Sequence, residues 1–362
     1  MANVDMIFLV VFASALFTVL LISPRIKQLG LQLGIVDYPD GRKLHHQPMV
    51  RIGGVGIAIG TVFAATLGLA GLALTGQTAT QPWLNVIGVL VVGVGSFTIG
   101  LADDRWSISP KLRLGLQAIV TVIAWSLGLQ IHYLPIPGIG AIALGLFSLP
   151  ITFLWLAGVT NAINWLDGLD GLATGISLIA SVMFGLIGWQ QGDLTIVILA
   201  LALAGATLGF LRYNALPAQM YMGDGGSYLI GGMLAGLGIL SIGSSDAFNL
   251  NATPYIILAV PIIDMVLVII SRQMDGKSPF FPDQRHLHHR LLRLKLSKQT
   301  VVNLIYALMA WAGLAGNLLD KASYWSWINV MALAIVMIFV NRTALQTAAA
   351  PINNAVVNPV EQ

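Results

Sequence analysis

The sequence predicts an all-α polytopic membrane protein, and three observations support this. Of its 362 residues, 57% are hydrophobic and only 9% are charged, and the mean hydropathy is +0.83. No soluble domain of this length needs so much apolar surface. Eleven apolar runs are long enough to cross a bilayer, which takes roughly 20 helical residues. The 39 glycines are typical of closely packed transmembrane helices.

The apolar runs follow one another with short polar loops between them. Two runs are poorly delimited, because Pro150 lies inside the fifth and only Gln190 to Asp193 separates the sixth from the seventh. The predicted spans lie at 4–22, 52–75, 83–101, 113–131, 140–160, 172–189, 194–211, 227–243, 253–271, 301–319 and 324–341.

The basic residues predict how these spans are oriented. Seventeen of the eighteen Lys and Arg residues fall on one side, and only Lys321 falls on the other. Such a bias marks the cytoplasmic face, so we expect the N-terminus outside and the C-terminus in the cytoplasm. Membrane orientation also accounts for the pI near 9.2, and we therefore expect no nucleic-acid partner.

The chain is expected to form one membrane domain over 1–342 and a disordered cytoplasmic tail over 343–362. No basic region precedes the first apolar run, so no cleaved signal peptide is expected. The absence of cysteine excludes disulfides and thiolate metal sites.

The most informative polar segment reads N-A-I-N-W-L-D-G-L-D-G-L-A-T-G over 161–175. Asp167 and Asp170 share one face if the backbone is helical, and the glycines beside them permit close approach to a ligand. Asn161 and Asn164 continue the spacing of three upstream. A Gly-rich turn between two spans is the alternative, but it does not explain four polar side chains at this spacing.

Two more acidic segments lie on the same predicted face. Asp103 and Asp104 end the third span, where adjacent carboxylates repel each other unless a cation or a shared proton relieves them. A solvated helix end, or pairing with Arg105, is the alternative. Asp224 stands in M-G-D-G-G-S, either as a helix N-cap or as a metal ligand beside amides that can hold phosphate. Tyr221 can stack on a base or pack at the interface.

Histidines and arginines on this face suit a pyrophosphate substrate. The segment R-H-L-H-H-R-L-L-R-L-K-L-S-K over 285–298 contains His286, His288 and His289. An amphipathic helix on anionic lipid is the alternative interpretation. Zinc is not expected, because no nearby carboxylate or cysteine completes a ligand set.

Two other features add candidates. A basic arm ahead of the second span contains Lys43, His45 and Arg51. Asp264 lies inside the ninth span, three residues after Pro261. A carboxylate within a span is costly and is therefore a functional candidate, with a structural hydrogen bond in the bundle as the alternative.

Taken together, these motifs resemble the polyprenyl-phosphate N-acetylhexosamine-1-phosphate transferases (glycosyl transferase family 4), in the branch that uses GlcNAc-1-phosphate and undecaprenyl phosphate. The matching motifs are R-K-L-H with R-I-G-G, L-A-D-D-R, the segment over 161–175, N-x-x-P-A with M-G-D-G-G-S, and R-H-L-H-H-R. The resemblance covers nearly all of residues 1–342. Each motif alone is weak, but five in this order on one predicted face are highly specific.

The resemblance implies roles for individual residues. Asp224 would be the principal Mg²⁺ ligand, with Asp167 as a second ligand and Mn²⁺ as the alternative ion. Asp103 would engage or deprotonate the lipid phosphate, with Asp104 beside it. The histidines His286, His288 and His289 would lie near the sugar-phosphate. The expected substrate-binding residues are Asn161, Asn164, Asp167, Asp170, Asn214, Tyr221, Lys43, His45 and Arg51.

The implied reaction transfers a HexNAc-1-phosphate, expected to be GlcNAc-1-phosphate, from a UDP-sugar to undecaprenyl phosphate. The products would be undecaprenyl-diphospho-sugar and UMP, in the first membrane step of cell-envelope polysaccharide synthesis. Expected partners are UDP-N-acetylhexosamine, undecaprenyl phosphate and the bilayer, with a homodimer as one candidate assembly. We expect the active site on the cytoplasmic face of the inner (plasma) membrane. The residues fit this chemistry, since a metal held by one or two carboxylates can neutralise a pyrophosphate.

Four alternatives were weighed. The phospho-MurNAc-pentapeptide transferases of peptidoglycan synthesis usually have ten spans, a T-P-T-M-G-G type of arm and a histidine motif ending in an acid. Here the arm reads M-V-R-I-G-G and Arg290 follows the last histidine. A transporter would place ionisable groups near the bilayer midplane. An intramembrane aspartyl protease needs two facing acids within spans, and only Asp264 qualifies. A CDP-alcohol phosphotransferase would need a D-x-x-x-D that does not follow D-G-L-A-T.

Overall fold

The computed structural model describes residues 2–37, 48–76, 81–136, 140–242, 252–281 and 283–318, together with 328, 331–333 and 335–338. These residues form a helical bundle in which eight helices are long and apolar enough to cross a membrane. The predicted all-α polytopic class is therefore confirmed. The helices are α1 (Ala2–Gln32), α2 (Gly54–Leu74), α3 (Trp83–Trp106), α4 (Pro110–Ser126), α5 (Ser148–Leu166), α6 (Leu172–Gln191), α7 (Leu194–Asn214), α8 (Gly223–Ile242), α9 (Thr253–Ile257), α10 (Ala259–Met274), α11 (Leu287–Arg293) and α12 (Lys298–Leu318).

Two short antiparallel hairpins connect helices at opposite ends of the bundle. The first joins α1 to α2 and pairs β1 (Val36–Asp37) with β2 (Met49–Val50). The second joins α4 to the 3₁₀ turn before α5 and pairs β3 (Tyr133–Ile136) with β4 (Gly140–Ala143).

The fourth span was predicted over 113–131, but α4 ends at Ser126, and the helices differ more strongly from the predicted spans at three other places. The fifth span was predicted from residue 140, but β4 occupies 140–143 and α5 begins only at Ser148, because an apolar strand has the same hydropathy as a helical turn. The ninth span is broken into α9 and α10 at Leu258, three residues before Pro261, which cannot donate a helical N–H. α1 continues to Gln32, ten residues past its predicted end at 22. Most of the eleventh span and the predicted tail over 343–362 lie outside the described residues.

α8 lies at the centre of the bundle. Every one of its residues except Asp224 is buried. Glycine allows its neighbours to approach closely: a Cβ on Gly100 of α3 would lie 2.2 Å from the Asp224 carbonyl oxygen. On another side, a Cβ on Gly231 would lie 2.7 Å from the Thr160 Cα of α5. Small residues permit such packing between membrane helices, and here they fix Asp224 between α3 and α5.

One end of the bundle, which we call the site face, is where α3, α5 and α7 end and α2, α6 and α8 begin. Backbone hydrogen bonds tie the start of α2 to the loop before α8 at this face. The Gly53 N–H donates to the Tyr221 carbonyl at 3.0 Å, and the Tyr221 N–H donates to the Val50 carbonyl at 2.8 Å. The site face therefore holds together segments that lie far apart in the sequence.

Candidate active site

A cavity of about 620 Å³ lies on the site face. Its walls come from the β1–β2 hairpin and the segment between it and α2, the α5–α6 loop, the α7–α8 loop, and the starts of α8 and α12. Seven of the residues predicted from sequence line it, namely Arg51, Asn164, Asp167, Asp170, Asn214, Tyr221 and Asp224. The three acidic segments thus converge, since Asp104 lies against this group through the contacts described below.

Asp224 stands in the first turn of α8 and is oriented by α5. The Asn164 amide donates to Asp224 Oδ1 at 2.7 Å and to the buried Ser227 hydroxyl at 3.0 Å. A carboxylate at this position also benefits from the positive end of the helix dipole. Of the two asparagines spaced three apart, Asn164 is therefore the one that contacts the acid.

Asp104 does not line the cavity but contacts Arg51, which does. Its Oδ2 accepts a hydrogen bond from the Gly225 N–H at 3.0 Å, and its Oδ1 lies 3.3 Å from the Arg51 guanidinium. Gly223 packs against Arg51 and Asp104 and has a left-handed backbone with φ +72°. A Cβ there would lie 2.0 Å from the Arg51 carbonyl oxygen. Asp104 therefore fixes Arg51 and the start of α8 together.

Asp103 does not line the cavity and is paired with a residue that the sequence analysis missed. Its buried carboxylate forms an ion pair with Arg113 of α4. Ser107 makes this possible, because its left-handed φ of 48° ends α3 and reverses the chain into α4. The only sequence signal for this pair was the position of Arg113 at the basic end of the fourth predicted span. The structure pairs Asp103 with Arg113 and not with Arg105.

The loop between α5 and α6 carries Asp167 and Asp170. Burial, and then the neighbouring Asp224 charge, raises the pKa of Asp167 to about 7. Asp170 Oδ2 accepts from the Ala218 N–H at 3.0 Å, which connects this loop to the one that carries Tyr221. Burial raises the pKa of Tyr221 to about 12, so its phenol stays neutral.

Two predicted asparagines take part in internal hydrogen bonds. Asn161 lies deeper than the cavity wall, where its amide donates to Gln117 at 3.0 Å and its oxygen accepts from Tyr228 at 3.3 Å. Asn214 lines the cavity, but it is buried and accepts from the Thr174 hydroxyl at 2.6 Å. Substrate contact by either amide stays a prediction.

The three predicted histidines form a stack beside the α5–α6 loop. His288 is 1% exposed, and neither ring nitrogen has a hydrogen-bond partner among the described residues. A Cβ on Gly168 would lie 2.3 Å from its Nε2. Its ring is parallel to that of His286, with centroids 6.0 Å apart, and 4.1 Å from that of His289. Burial, followed by these two neighbours, lowers the pKa of His288, so its ring is neutral at pH 7.

The histidine segment is part of the protein interior and not a surface helix on lipid. α11 spans only seven residues, of which Leu287, His288, Arg290 and Leu291 are buried. The buried Arg290 therefore lies inside the protein and not against lipid.

The cavity residues that were not predicted as site residues include Asp37, Met49 and Lys298. Lys298 begins α12 and was the last residue of the basic segment over 285–298, so its charge was a usable signal. Lys43 and His45 lie outside the described residues, and their predicted roles are untested.

Asp167 and Asp224 are the residues that could hold a divalent ion. Both line the cavity, and the Asp224 charge is one cause of the raised pKa of Asp167. Within the described ranges, no three His, Asp or Glu side chains form a complete metal site. Mg²⁺ does not need one, because it binds through one or two carboxylates together with water and substrate phosphates. The oxygen donors therefore fit Mg²⁺ better than Zn²⁺.

A bundle of membrane-spanning helices with acids and an arginine around one cavity defines an integral-membrane enzyme for an anionic substrate. The glycosyl transferase family 4 model matches residues 86–242. A Bacillus subtilis (strain 168) protein, described as a probable undecaprenyl-phosphate N-acetylglucosaminyl 1-phosphate transferase, is 35% identical over 332 residues, which cover 91% of this chain and 89% of the relative. The chain belongs to glycosyl transferase family 4.

Two other relatives are similar over most of their length. A decaprenyl-phosphate N-acetylglucosaminephosphotransferase of Mycobacterium tuberculosis (strain ATCC 25618 / H37Rv) is 36% identical, with 84% of this chain and 80% of the relative covered. An undecaprenyl-phosphate alpha-N-acetylglucosaminyl 1-phosphate transferase of Escherichia coli (strain K12) is 29% identical, with 86% and 84% covered.

Proposed function

We propose that the protein transfers GlcNAc-1-phosphate from UDP-GlcNAc to undecaprenyl phosphate, releasing UMP, as the first membrane step of cell-envelope polysaccharide synthesis. The observation that carries this proposal is the cavity on the site face, where Asp167, Asp170 and Asp224 meet Arg51 and Lys298. Carboxylates beside cations suit a metal-bound pyrophosphate. The activities for which the relatives are named support the sugar and the polyprenyl phosphate acceptor.

The reaction exchanges one P–O bond for another. An oxygen of the lipid phosphate attacks the sugar-bearing phosphorus of the UDP-sugar, and the bond from that phosphorus to UMP breaks. UMP leaves with the electron pair, while the glycosidic C–O bond is untouched and the sugar keeps its configuration. Because one diphosphate linkage replaces another, the reaction should be readily reversible.

The chain's own residues would orient two anions that repel each other. Arg51 and Lys298 supply positive charge at the cavity, and Asp104 holds Arg51 in place at 3.3 Å. Asp103, fixed by Arg113, is the proposed contact for the lipid phosphate. Mg²⁺, or Mn²⁺ in its place, would be held by Asp224 and Asp167 and would neutralise pyrophosphate charge. Positioning and electrostatic stabilisation would then supply most of the catalysis.

We also propose eleven spans over 1–342, with the N-terminus outside, the C-terminus and tail in the cytoplasm, and the site face toward the cytoplasm of the inner (plasma) membrane. The 17-to-1 division of basic residues supports this orientation. We also predict a homodimer, which can be tested by measuring the molecular mass of the solubilised protein. Cysteine labelling at Ser109 and at Gln191, in a chain without native cysteine, would test the orientation from the two sides.

The decisive assay is exchange of labelled UMP into UDP-GlcNAc by the purified protein in nanodiscs that contain undecaprenyl phosphate. Exchange should require a divalent ion and should stop with EDTA. It should be faster than exchange into UDP-GalNAc. No exchange with any UDP-N-acetylhexosamine would refute the proposed reaction.

Asp224→Asn tests the metal assignment. We expect it to abolish exchange while the protein stays folded in detergent, because the amide removes a charged Mg²⁺ ligand. Asp193→Asn is the matched control: Asp193 is an aspartate that caps α7 at the opposite end of the bundle, and Asn caps a helix equally well. Full activity of Asp224→Asn would remove Asp224 from the metal site.

A further inference from the structure

Asp264 is a buried acid of α10 whose two carboxylate oxygens both bind the histidine segment. Asp264 is 1% exposed. Its Oδ2 lies 2.8 Å from His286 Nδ1, and its Oδ1 accepts from the Leu287 N–H at 2.7 Å. One carboxylate thus holds both the backbone at the start of α11 and the ring of the first histidine.

This contact selects one form of the His286 ring. An ionised carboxylate can only accept hydrogen bonds, so the proton of a neutral ring must sit on Nδ1. The lone pair is then on Nε2, on the far side of the ring from Asp264. Carboxylates that bond a histidine in this way fix both its tautomer and its orientation.

A chain of direct contacts leads from Asp264 to the α5–α6 loop. The His286 ring packs edge-on against Trp165, with centroids 5.6 Å apart, and parallel to His288 at 6.0 Å. Trp165 stands two residues before Asp167, and His288 lies directly beneath Gly168. The position of the His286 ring therefore affects Trp165 on one side of Asp167 and, through His288, Gly168 on the other.

The surrounding charges explain why an acid is tolerated at this depth. Arg290 is 4% exposed, and burial lowers the pKa of its guanidinium, an effect that the neighbouring Asp264 charge opposes. A buried charge is costly unless it is paired and hydrogen-bonded. Asp264 therefore compensates the buried positive charge of the segment that it also orients.

We propose that Asp264 is a positioning residue: it holds His286 in the Nδ1–H tautomer and thereby keeps the histidine stack against the loop that carries Asp167. Asp264 acts through His286 and does not itself touch substrate. The part of this inference that concerns turnover rests on the proposed transferase function, whereas the tautomer does not.

The first experiment reads the tautomer directly. Full-length protein labelled with ¹⁵N-histidine is placed in nanodiscs, and the His286 signals are assigned by their loss in His286→Asn. In the wild type we expect a protonated Nδ1 and an unprotonated Nε2. In Asp264→Asn this preference should disappear, and an unchanged tautomer would overturn the proposal. Because no substrate is present, this result is independent of whether the proposed reaction is correct.

The second experiment measures turnover. Asp264→Asn should lower kcat by about 10–100-fold, with KM for the UDP-sugar unchanged within about twofold, the size of effect seen when a carboxylate that orients a functional histidine is removed. Asp264→Asn combined with His286→Asn should be no slower than His286→Asn alone, since both act through one ring. Fully multiplied losses in the double variant would overturn the proposal.

Two further variants separate positioning from folding. Asp264→Glu keeps the carboxylate and should retain the Nδ1–H tautomer and recover most of the kcat; a folded Asp264→Glu protein with the other tautomer would refute the assignment. Asp193→Asn, at the opposite end of the bundle, should leave kcat and the His286 signals at wild-type values. If wild-type protein shows the Nδ1–H tautomer but no transfer, the proposed function fails and the Asp264 contact stands.

Discussion

Gly168→Ala is a direct test of the contact between the α5–α6 loop and the histidine stack. The added Cβ would lie 2.3 Å from His288 Nε2 and 2.7 Å from Cε1. An ordinary contact begins at 3.4 Å, so the ring or the loop must move by about 1.1 Å. The ring cannot simply retreat, because His286 and His289 pack against it and it is 1% exposed.

The displacement predicts two measurable effects. Overpacking of this kind costs about 1–3 kcal/mol, so the temperature of thermal unfolding in detergent should fall. A shift of about 1 Å in a positioned group can cost about 100-fold in rate, so UMP exchange should fall by a similar factor.

Gly158→Ala is the matched control, because its Cβ would meet only Met265 Cε at 3.8 Å, in the interior of α5. This control should keep wild-type exchange and gain about 0.5–1 kcal/mol from helix propensity. Wild-type exchange by Gly168→Ala would refute the view that the histidine stack must lie close to the loop.

Three other perturbations test the supports of the site. Tyr306→Phe removes the hydroxyl that donates to the Gly171 carbonyl at 2.6 Å, and should cost about 1 kcal/mol in thermal or chemical unfolding, with the metal requirement of exchange unchanged. Acidification should destabilise the protein through His288, because burial lowers the pKa of its ring in the folded state. The contribution of the neutral ring to the free energy of unfolding is fully present above the unfolded pKa near 6.5. As the pH falls below that value, the free energy of unfolding decreases by at most about 1.4 kcal/mol per pH unit. Unfolding followed between pH 7.5 and 5.5 should show a shallower slope in His288→Gln, and an identical slope would contradict this assignment. Arg272→Lys replaces a buried guanidinium that donates to both oxygens of Asp283 at 3.1 and 3.0 Å, and should cost about 1.5–3 kcal/mol in the same unfolding measurement; no loss would mean that the pair does not anchor the segment before α11.

Among the described residues, hydropathy was sufficient to locate the eight helices that are long and apolar enough to cross a membrane, because bilayer thickness sets the length of an apolar helix. It was insufficient at residues 140–143, where an apolar strand has the same composition as a helical turn. Pro261 indicated the break between α9 and α10, because proline has no backbone N–H to donate to the helical hydrogen-bond ladder.

The convergence of Asp167 and Asp224 was predictable because each stands at the end of a span on the same side. Their partners were harder to predict. Arg113 pairs with Asp103 only because Ser107 turns the chain back with a left-handed backbone, a preference that its residue type does not signal. Spacing of three suggested equal roles for Asn161 and Asn164, but Asn161 bonds Gln117 of α4 and Tyr228 of α8, whereas Asn164 bonds Asp224. Such contacts are set by how helices pack, which a single sequence does not encode locally.

The enclosure of α8 has a consequence for how the protein responds to its surroundings. Lipids contact the outer helices, but they do not contact α8, which carries Asp224, because α8 is buried inside the protein. Changing the acyl chains of a nanodisc should therefore alter how quickly a long isoprenoid reaches the cavity, while affinity for the divalent ion stays constant.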